Sequence, residues 1–277
     1  MKKLLIAGFG DIARRVLPLL PPGVEVRALS RRRGFDLDRQ DSLAHIGGWA
    51  EAILHCAPPP AGGQADPRTA NLLAALERGG ILPGRMVYVS TSGVYGDCGG
   101  ALVDETRPLN PQSARARRRA DAERQLAQWC AAHEVALVVL RAPGIYAAER
   151  LPLERLRAQV PVLAAAHDVY TNHIHADDLA AICARALEPD APAGTYNACD
   201  DTRLKMGDWM DFVAERCGLA RPPRIARVEA TGRIAPELLS FMCESRRLDN
   251  RRMKRTLGID LHYPTVFDGL SSSRQAA

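Results

Sequence analysis

The stretch "KKLLIAGFGDIARRV", residues 2–16, decides how the rest of the chain is read. Leu4, Leu5, Ile6 and Ala7 form a short apolar run closed by glycine, which fits a buried strand. The apolar spacing then changes: Ile12, Val16, Leu19 and Leu20 fall on one helix face. Between the two periods lies Gly8-x-Gly10-x-x-Ala13. That spacing points to dinucleotide binding when a strand precedes it and a helix follows. Gly8 allows the tight turn, Gly10 lets the backbone approach a pyrophosphate, and Ala13 lets helix and strand pack closely. Gly8, Gly10, Asp11 and Ile12 are therefore expected cofactor contacts.

The end of the second apolar run chooses the nucleotide. "VEVRALS" (24–30) alternates as a strand does and leads into Arg31, Arg32 and Arg33. An NAD site usually carries Asp or Glu there, bonded to the ribose 2′-hydroxyl. Here Ser30 and arginines stand instead, with no acid. A carboxylate would repel a 2′-phosphate, whereas a guanidinium pairs with it through two parallel bonds. Ser30, Arg31 and Arg32 are the expected contacts, and NADP(H) is expected in preference to NAD(H).

Further on, strand and helix signals alternate. "AEAILHCAP" (51–59), "RMVYVSTS" (85–92) and "VALVVLRAP" (135–143) read as strands, with helices in "PRTANLLAALERGGI" and across 113–133. Such alternation implies βαβ units and a parallel sheet covered on both faces. The expected fold is α/β, a Rossmann-type doubly wound parallel sheet with a smaller C-terminal substrate lobe. Residues 1–142 form the dinucleotide-binding part. Residues 143–277 form mainly the substrate lobe, with some segments returning to the sheet. Later helices are expected at 176–188, in "MGDWMDFVAERCGL" and in the basic "SRRLDNRRMKRTLGI". The tail "GLSSSRQAA" is expected to be disordered.

Composition narrows the function classes. The chain has 277 residues, 47% of them hydrophobic, and a net charge of +5, too mild for a nucleic-acid tail. The N-terminal apolar run is shorter than the roughly 7–15 residues of a signal segment. No run reaches the roughly 18 residues of a membrane span. A cytoplasmic protein without nucleic-acid or membrane partners is expected, as monomer or homodimer. The seven cysteines include no CxxC pair, which suits reduced thiols, and no His/Cys cluster has metal-ligand spacing.

Beyond these readings, "MVYVSTSGVYGD" (86–97) resembles the SSxxVYG segment of the extended short-chain dehydrogenases/reductases, the NAD(P)-dependent epimerase/dehydratase group. "FDLD" (35–38), "ILHCAP" (53–58), "LRAPGIYAAER" (140–150), "NHIHADDLAA" (172–181) and "YNACDD" (196–201) resemble further segments of it. The Gly8–Ala13 spacing departs from the extended pattern GxxGxxG and looks more like the atypical subgroup. The resemblance implies cofactor contacts at Asp36, Leu37, Cys56, Ala57 and Pro58. It also implies a catalytic or orienting role for Thr91, which stands four residues before Tyr95. Substrate contacts are implied at Thr91, Ser92, Tyr95, Tyr146 and Arg150.

The family then carries Tyr-x-x-x-Lys, with Glu four residues after the Lys. "NPQSARARRRADAE" (110–123) sets the register through Pro111 and Glu123, so the Tyr position is Arg115 and the Lys position Arg119. No tyrosine occurs between 96 and 145, so no shift of register recovers the pair. Arginine has no acceptor and stays protonated, so Arg115 cannot perform the tyrosine's proton transfer. Arg119 could still donate to the nicotinamide ribose, and Arg115 could contact substrate. Tyr95, Tyr146, Tyr170, His173 and His175 are the implied replacements along the pocket. Arg115, Arg119, Arg141 and Arg150 are expected to converge there and favour a small anionic or sugar-nucleotide-like substrate, such as a nucleotide sugar or other phosphate, whereas Arg117 and Arg118 are expected in solvent. Two functions follow: an oxidoreductase or epimerase/dehydratase-like enzyme with a nonstandard proton relay, or a catalytically silent NADP(H) sensor.

Overall fold

A computed structural model of the chain describes residues 1–271. Six parallel strands form the central sheet: β1 (Lys3–Ala7), β2 (Glu25–Leu29), β3 (Ala52–His55), β4 (Arg85–Thr91), β5 (Ala136–Ala142) and β6 (Gly194–Asn197). Their order is β2-β1-β3-β4-β5-β6. Chain direction across the sheet reverses between β1 and β3, and a crevice opens there at the carboxyl ends of the strands. Between β2 and β3 the chain makes only short 3₁₀ turns, at Arg31–Arg33 and Gln40–Leu43, so β2 is an edge.

Alternation along each strand sends side chains to the two faces of the sheet, each covered by helices. Leu4, Ile6, Val87, Val89, Val138 and Leu140 meet α1 (Asp11–Val16) and, later in the chain, the helix Ala176–Leu187. Leu5, Ile53, Met86, Tyr88 and Val139 meet α2 (Pro67–Arg78) and α3 (Ala114–Ala132). The 176–187 helix is α4. This two-sided burial is the expected doubly wound architecture. The Asp66 carboxylate accepts from the Arg68 N–H at the start of α2, and Ser113 Oγ from the Ala116 N–H at the start of α3. Each satisfies a donor the helix leaves open.

After β5 the chain builds a second core from Tyr146, Leu156, Met210, Val213, Met242 and Leu270. Its main helix is α5 (Met206–Arg216). Short strand pairs tie it together: Gly144–Tyr146 with His173–His175, Tyr170–Thr171 with Leu204–Lys205, and Val162–Leu163 with Arg224–Ile225. α4 and β6 return from this half of the chain to the central sheet.

Two expectations need correction. The basic segment is not one helix, because Arg247–Leu248 pairs as a strand with Leu102–Val103 and the helix runs only from Arg251 to Leu257. The Asp249 side chain accepts from the Arg251 N–H, which turns the backbone at that junction. The expected disordered tail lies outside the described residues from 272 on, while Leu270 is buried in the second core. Among the described residues no helix is long and apolar enough to cross a membrane.

Candidate functional site

The glycine turn at the end of β1 is held by two kinds of constraint. Gly8 has φ +93°, and a Cβ there would lie 2.4 Å from the Ala57 nitrogen. Only glycine fits both conditions. Ala7 carbonyl accepts from the Cys56 and Ala57 N–H groups at 2.8 and 2.9 Å, which ties the ends of β1 and β3 together. Gly10 is the opposite case. Nothing lies within 4 Å of where its Cβ would stand, its N–H donates to the Gly8 carbonyl at 3.0 Å, and the start of α1 has no side-chain cap.

Two adjoining hollows share Gly8, Gly10 and Cys56. The first, about 280 Å³, is walled by Ser30, Arg31, Asp36, Leu37, Ala57 and Pro58. The second, about 250 Å³, passes Asp11, Ile12, Thr91 and Arg119 and reaches Arg150. Of the expected cofactor contacts, Arg32 alone lines neither hollow; it is exposed on the 3₁₀ turn. Asp11 would repel a pyrophosphate at this mouth, but Arg15 and Arg150 bond its carboxylate at 3.0 and 2.9 Å. A pair of connected hollows around an unfilled glycine has the layout of a dinucleotide site, with Arg31 at one end. Burial pushes the Cys56 thiol up to about 12, which makes it a packing group and not a nucleophile.

α3 delivers the arginines. From its Ser113 cap, Arg115 and Arg119 stand one turn apart on the same face. Arg119 Nη1 donates to the Val89 carbonyl at 2.9 Å and to the Tyr88 hydroxyl at 3.1 Å, beside the second hollow. Among the described residues Arg115 makes no hydrogen bond or ion pair; its guanidinium carbon lies 3.7 Å from the centre of the Phe241 ring. Arg117 is exposed, but Arg118 is buried and donates to the Gly63 carbonyl at 2.9 Å, against expectation. The loop before α2 packs over that flank of α3, which helical spacing alone does not reveal.

A larger cavity of about 460 Å³ meets the cofactor hollow at Thr91, Pro143, Ile145 and Arg150. Ser92, Arg115, Tyr146, Tyr170 and His173 also line it. Thr91 Oγ1 accepts from the Gly93 N–H at 3.2 Å, which fixes the hydroxyl at the junction. Tyr146 donates to the Thr265 carbonyl at 3.1 Å, and burial holds its hydroxyl far above the usual tyrosine range. His173 is 3% exposed with no partner for Nδ1, and burial drives its pKa down to about 3. It is therefore neutral.

Other expected participants stand elsewhere. Tyr95 is 1% exposed and packs with Val94, Val103 and Leu248. Its hydroxyl donates to Asn197 Oδ1 at 2.8 Å and accepts from Arg141 Nη1 at 2.9 Å. Burial pushes it up to about 12. Tyr95 thus lies behind the cavity wall, because the 3₁₀ turn Ser92–Tyr95 rotates it inward. Arg141 does not converge on the cavity either: it is buried and pairs with Glu123 at 2.8 Å. His175 Nδ1 accepts from the Asp177 N–H at 3.2 Å and so caps α4.

Among the cavity residues that escaped the sequence reading are Arg155, Trp209, Phe241 and Arg246. "LERLR" carries no motif, and the others come from elements more than 90 residues beyond Arg115. A local pattern holds no signal for such long-range convergence.

The family model described as the NAD dependent epimerase/dehydratase family matches residues 19–199, a span that leaves out the glycine turn. No curated protein matches the chain. Among solved structures, the chain is similar to a functionally unknown conserved protein from Silicibacter pomeroyi, at 30% identity and TM-score 0.78, covering 98% of this chain and 97% of that one. RMD from Pseudomonas aeruginosa, solved with NADPH, aligns at 18% identity and TM-score 0.75 over 98% and 97% of the two chains. UDP-glucose 4-epimerase from Thermotoga maritima, solved with UDP-glucose, aligns at 16% identity and TM-score 0.76 over 97% and 96%. The last two likenesses establish a shared fold and nothing finer.

Proposed function

We propose that this chain, which belongs to the NAD dependent epimerase/dehydratase family, is an NADP(H)-binding oxidoreductase of a small anionic substrate that works without the family's tyrosine. One observation carries the reading. The cofactor hollows and the 460 Å³ cavity meet at Thr91, with Arg115 in the wall where the resemblance puts the tyrosine. A nicotinamide bound there supplies or accepts a hydride.

The chain's own groups do the rest. Gly8 and Gly10 leave room for the pyrophosphate. Ser30 and Arg31 take the 2′-phosphate, and Arg119 donates toward the nicotinamide ribose. Thr91 orients the substrate oxygen. Arg115 supplies a fixed positive charge for the negative charge that develops on that oxygen. It transfers no proton. Tyr170 is the wall group left for that step, since His173 is held neutral by burial.

A second reading, a catalytically silent NADP(H) sensor, is favoured by a specific observation. Both family catalytic positions carry guanidinium, and Arg119 is already committed to Val89 and Tyr88. One experiment separates the two. Purified protein with NADPH is offered a panel of carbonyl compounds and nucleotide sugars. Sustained NADPH oxidation supports the enzyme; saturable binding without turnover, with activity created only by Arg115→Tyr plus Arg119→Lys, supports the sensor.

The nucleotide preference has its own test. NADPH is expected to bind at least about tenfold tighter than NADH, which is about 1.4 kcal/mol. Arg31→Ala should remove most of that difference. Equal affinities in the unmodified protein, measured by calorimetry, would contradict the 2′-phosphate assignment.

A further inference from the structure

Arg155 carries a charge in the cavity wall that no hydrogen bond or ion pair among the described residues answers. It stands on the short helix Leu153–Arg157 and lines the 460 Å³ cavity. Its Nε and Nη2 are buried without a hydrogen-bond partner. Burial lowers its pKa, yet a guanidinium remains a cation. Unpaired buried charge is costly, and native structures rarely retain it without a reason.

Arg155 is half-buried, whereas the buried arginines Arg85, Arg141 and Arg246 each hold a carbonyl or carboxylate partner. Arg85 donates to three carbonyls, those of Ala186, Pro189 and Ala191. Arg141 pairs with Glu123, and Arg246 with Glu244 at 2.9 Å. Among the described residues Glu244 is the one carboxylate that lines the cavity, and Arg246 already holds it. Arg115, in the same wall, also lacks a hydrogen-bond or ion-pair partner among the described residues. Two guanidinium groups without a hydrogen-bond or ion-pair partner among the described residues therefore line one cavity, Arg115 stacked on Phe241 with Glu244 nearby. Trp209, Met206, Leu238 and Phe241 supply an apolar wall to it.

We infer that Arg155 and Arg115 anchor a phosphate group on the ligand of this cavity, so that the substrate is a small phosphorylated molecule. The charge decides between oxyanions. Near pH 7 a phosphate monoester carries about −1.5 to −2, which matches two guanidinium groups, whereas a carboxylate carries one charge. Guanidinium also binds phosphate through paired N–H bonds. Calling the ligand a substrate rests on the oxidoreductase reading; the phosphate site itself does not.

The test uses the full chain without cofactor. Inorganic phosphate and phenyl phosphate are titrated at constant ionic strength, with acetate as the single-charge control, and melting temperature and calorimetric affinity are read. Both phosphates should stabilise the unmodified protein more than acetate does. Arg155→Met should weaken phosphate binding at least about tenfold, and Arg155→Lys should retain part of it. Without ligand, Arg155→Met should melt at or above the unmodified protein, since an unanswered charge is gone. Arg31→Ala should keep the phosphate response, which separates this site from the cofactor's 2′-phosphate position. Equal phosphate affinity in Arg155→Met would overturn the inference. So would acetate binding as tightly as phosphate, loss of the response in Arg31→Ala, or a ligand-free melting temperature for Arg155→Met well below that of the unmodified protein. Because no cofactor and no turnover enter these readouts, this inference can fail while the oxidoreductase reading stands, and the reverse.

Discussion

Arg141→Met is expected to cost about 3–5 kcal/mol of unfolding free energy, the range for breaking a buried ion pair from one side. Arg141 and Glu123 have side chains only 8% exposed each and lie 2.8 Å apart. Arg141 also donates to the Tyr95 hydroxyl at 2.9 Å. Removing it leaves the Glu123 carboxylate buried with Ser90 as its remaining hydrogen-bond donor. Adding Glu123→Leu should recover much of the loss, because the stranded charge goes with it. Urea denaturation of the two variants measures both effects. A loss below about 1 kcal/mol for Arg141→Met would mean that the pair is solvated, as surface pairs are.

Gly10→Val is expected to lower NADPH affinity by at least about a hundredfold, or about 2.8 kcal/mol, while leaving the melting temperature nearly unchanged. The backbone at Gly10 has φ −93°, which any residue can adopt, and a Cβ there meets nothing within 4 Å. The added methyl groups would occupy only the space assigned to the pyrophosphate. Gly8→Ala lacks this diagnostic power. Its φ of +93° and the clash with Ala57 would strain the fold and the site together. Fluorescence titration alongside a thermal melt distinguishes the two glycines. NADPH affinity within threefold of the unmodified protein in Gly10→Val would remove the pyrophosphate from this turn.

What could be read from the sequence was whatever short-range periodicity and turn chemistry encode. The run Leu4–Ala7, the Gly8 turn and the spacing of Ile12 and Val16 identify a strand, a sharp turn and a packed helix within 15 residues. The same logic finds β3, β4, β5, α2, α3 and α4, each with an apolar face and most with a cap. The cofactor hollows are legible for the same reason, since their walls come from the ends of β1, β2 and β3 and the turns that follow. Failures occur where distant segments meet. Tyr95 looks available until Asn197 and Arg141, from β6 and β5, take its hydroxyl. Arg118 looks solvated until the loop at Gly63 covers it. Arg155 sits in a short helix without a motif and gains meaning only because helix and loop segments around Trp209, Phe241 and Glu244 line a cavity beside it. The segment at Arg247–Leu248 reads as helix by its charge pattern, yet pairing with Leu102–Val103 makes it a strand.

The account stands or falls on the dinucleotide held between the Gly8–Ala13 turn and Arg31. Titration of purified, cofactor-stripped protein with NADPH, followed by isothermal calorimetry, tests it most directly. Saturable binding of one NADPH per chain, tighter than NADH, is the predicted result. No heat of binding for either nucleotide at millimolar concentration, from a protein whose melt shows it folded, would contradict it.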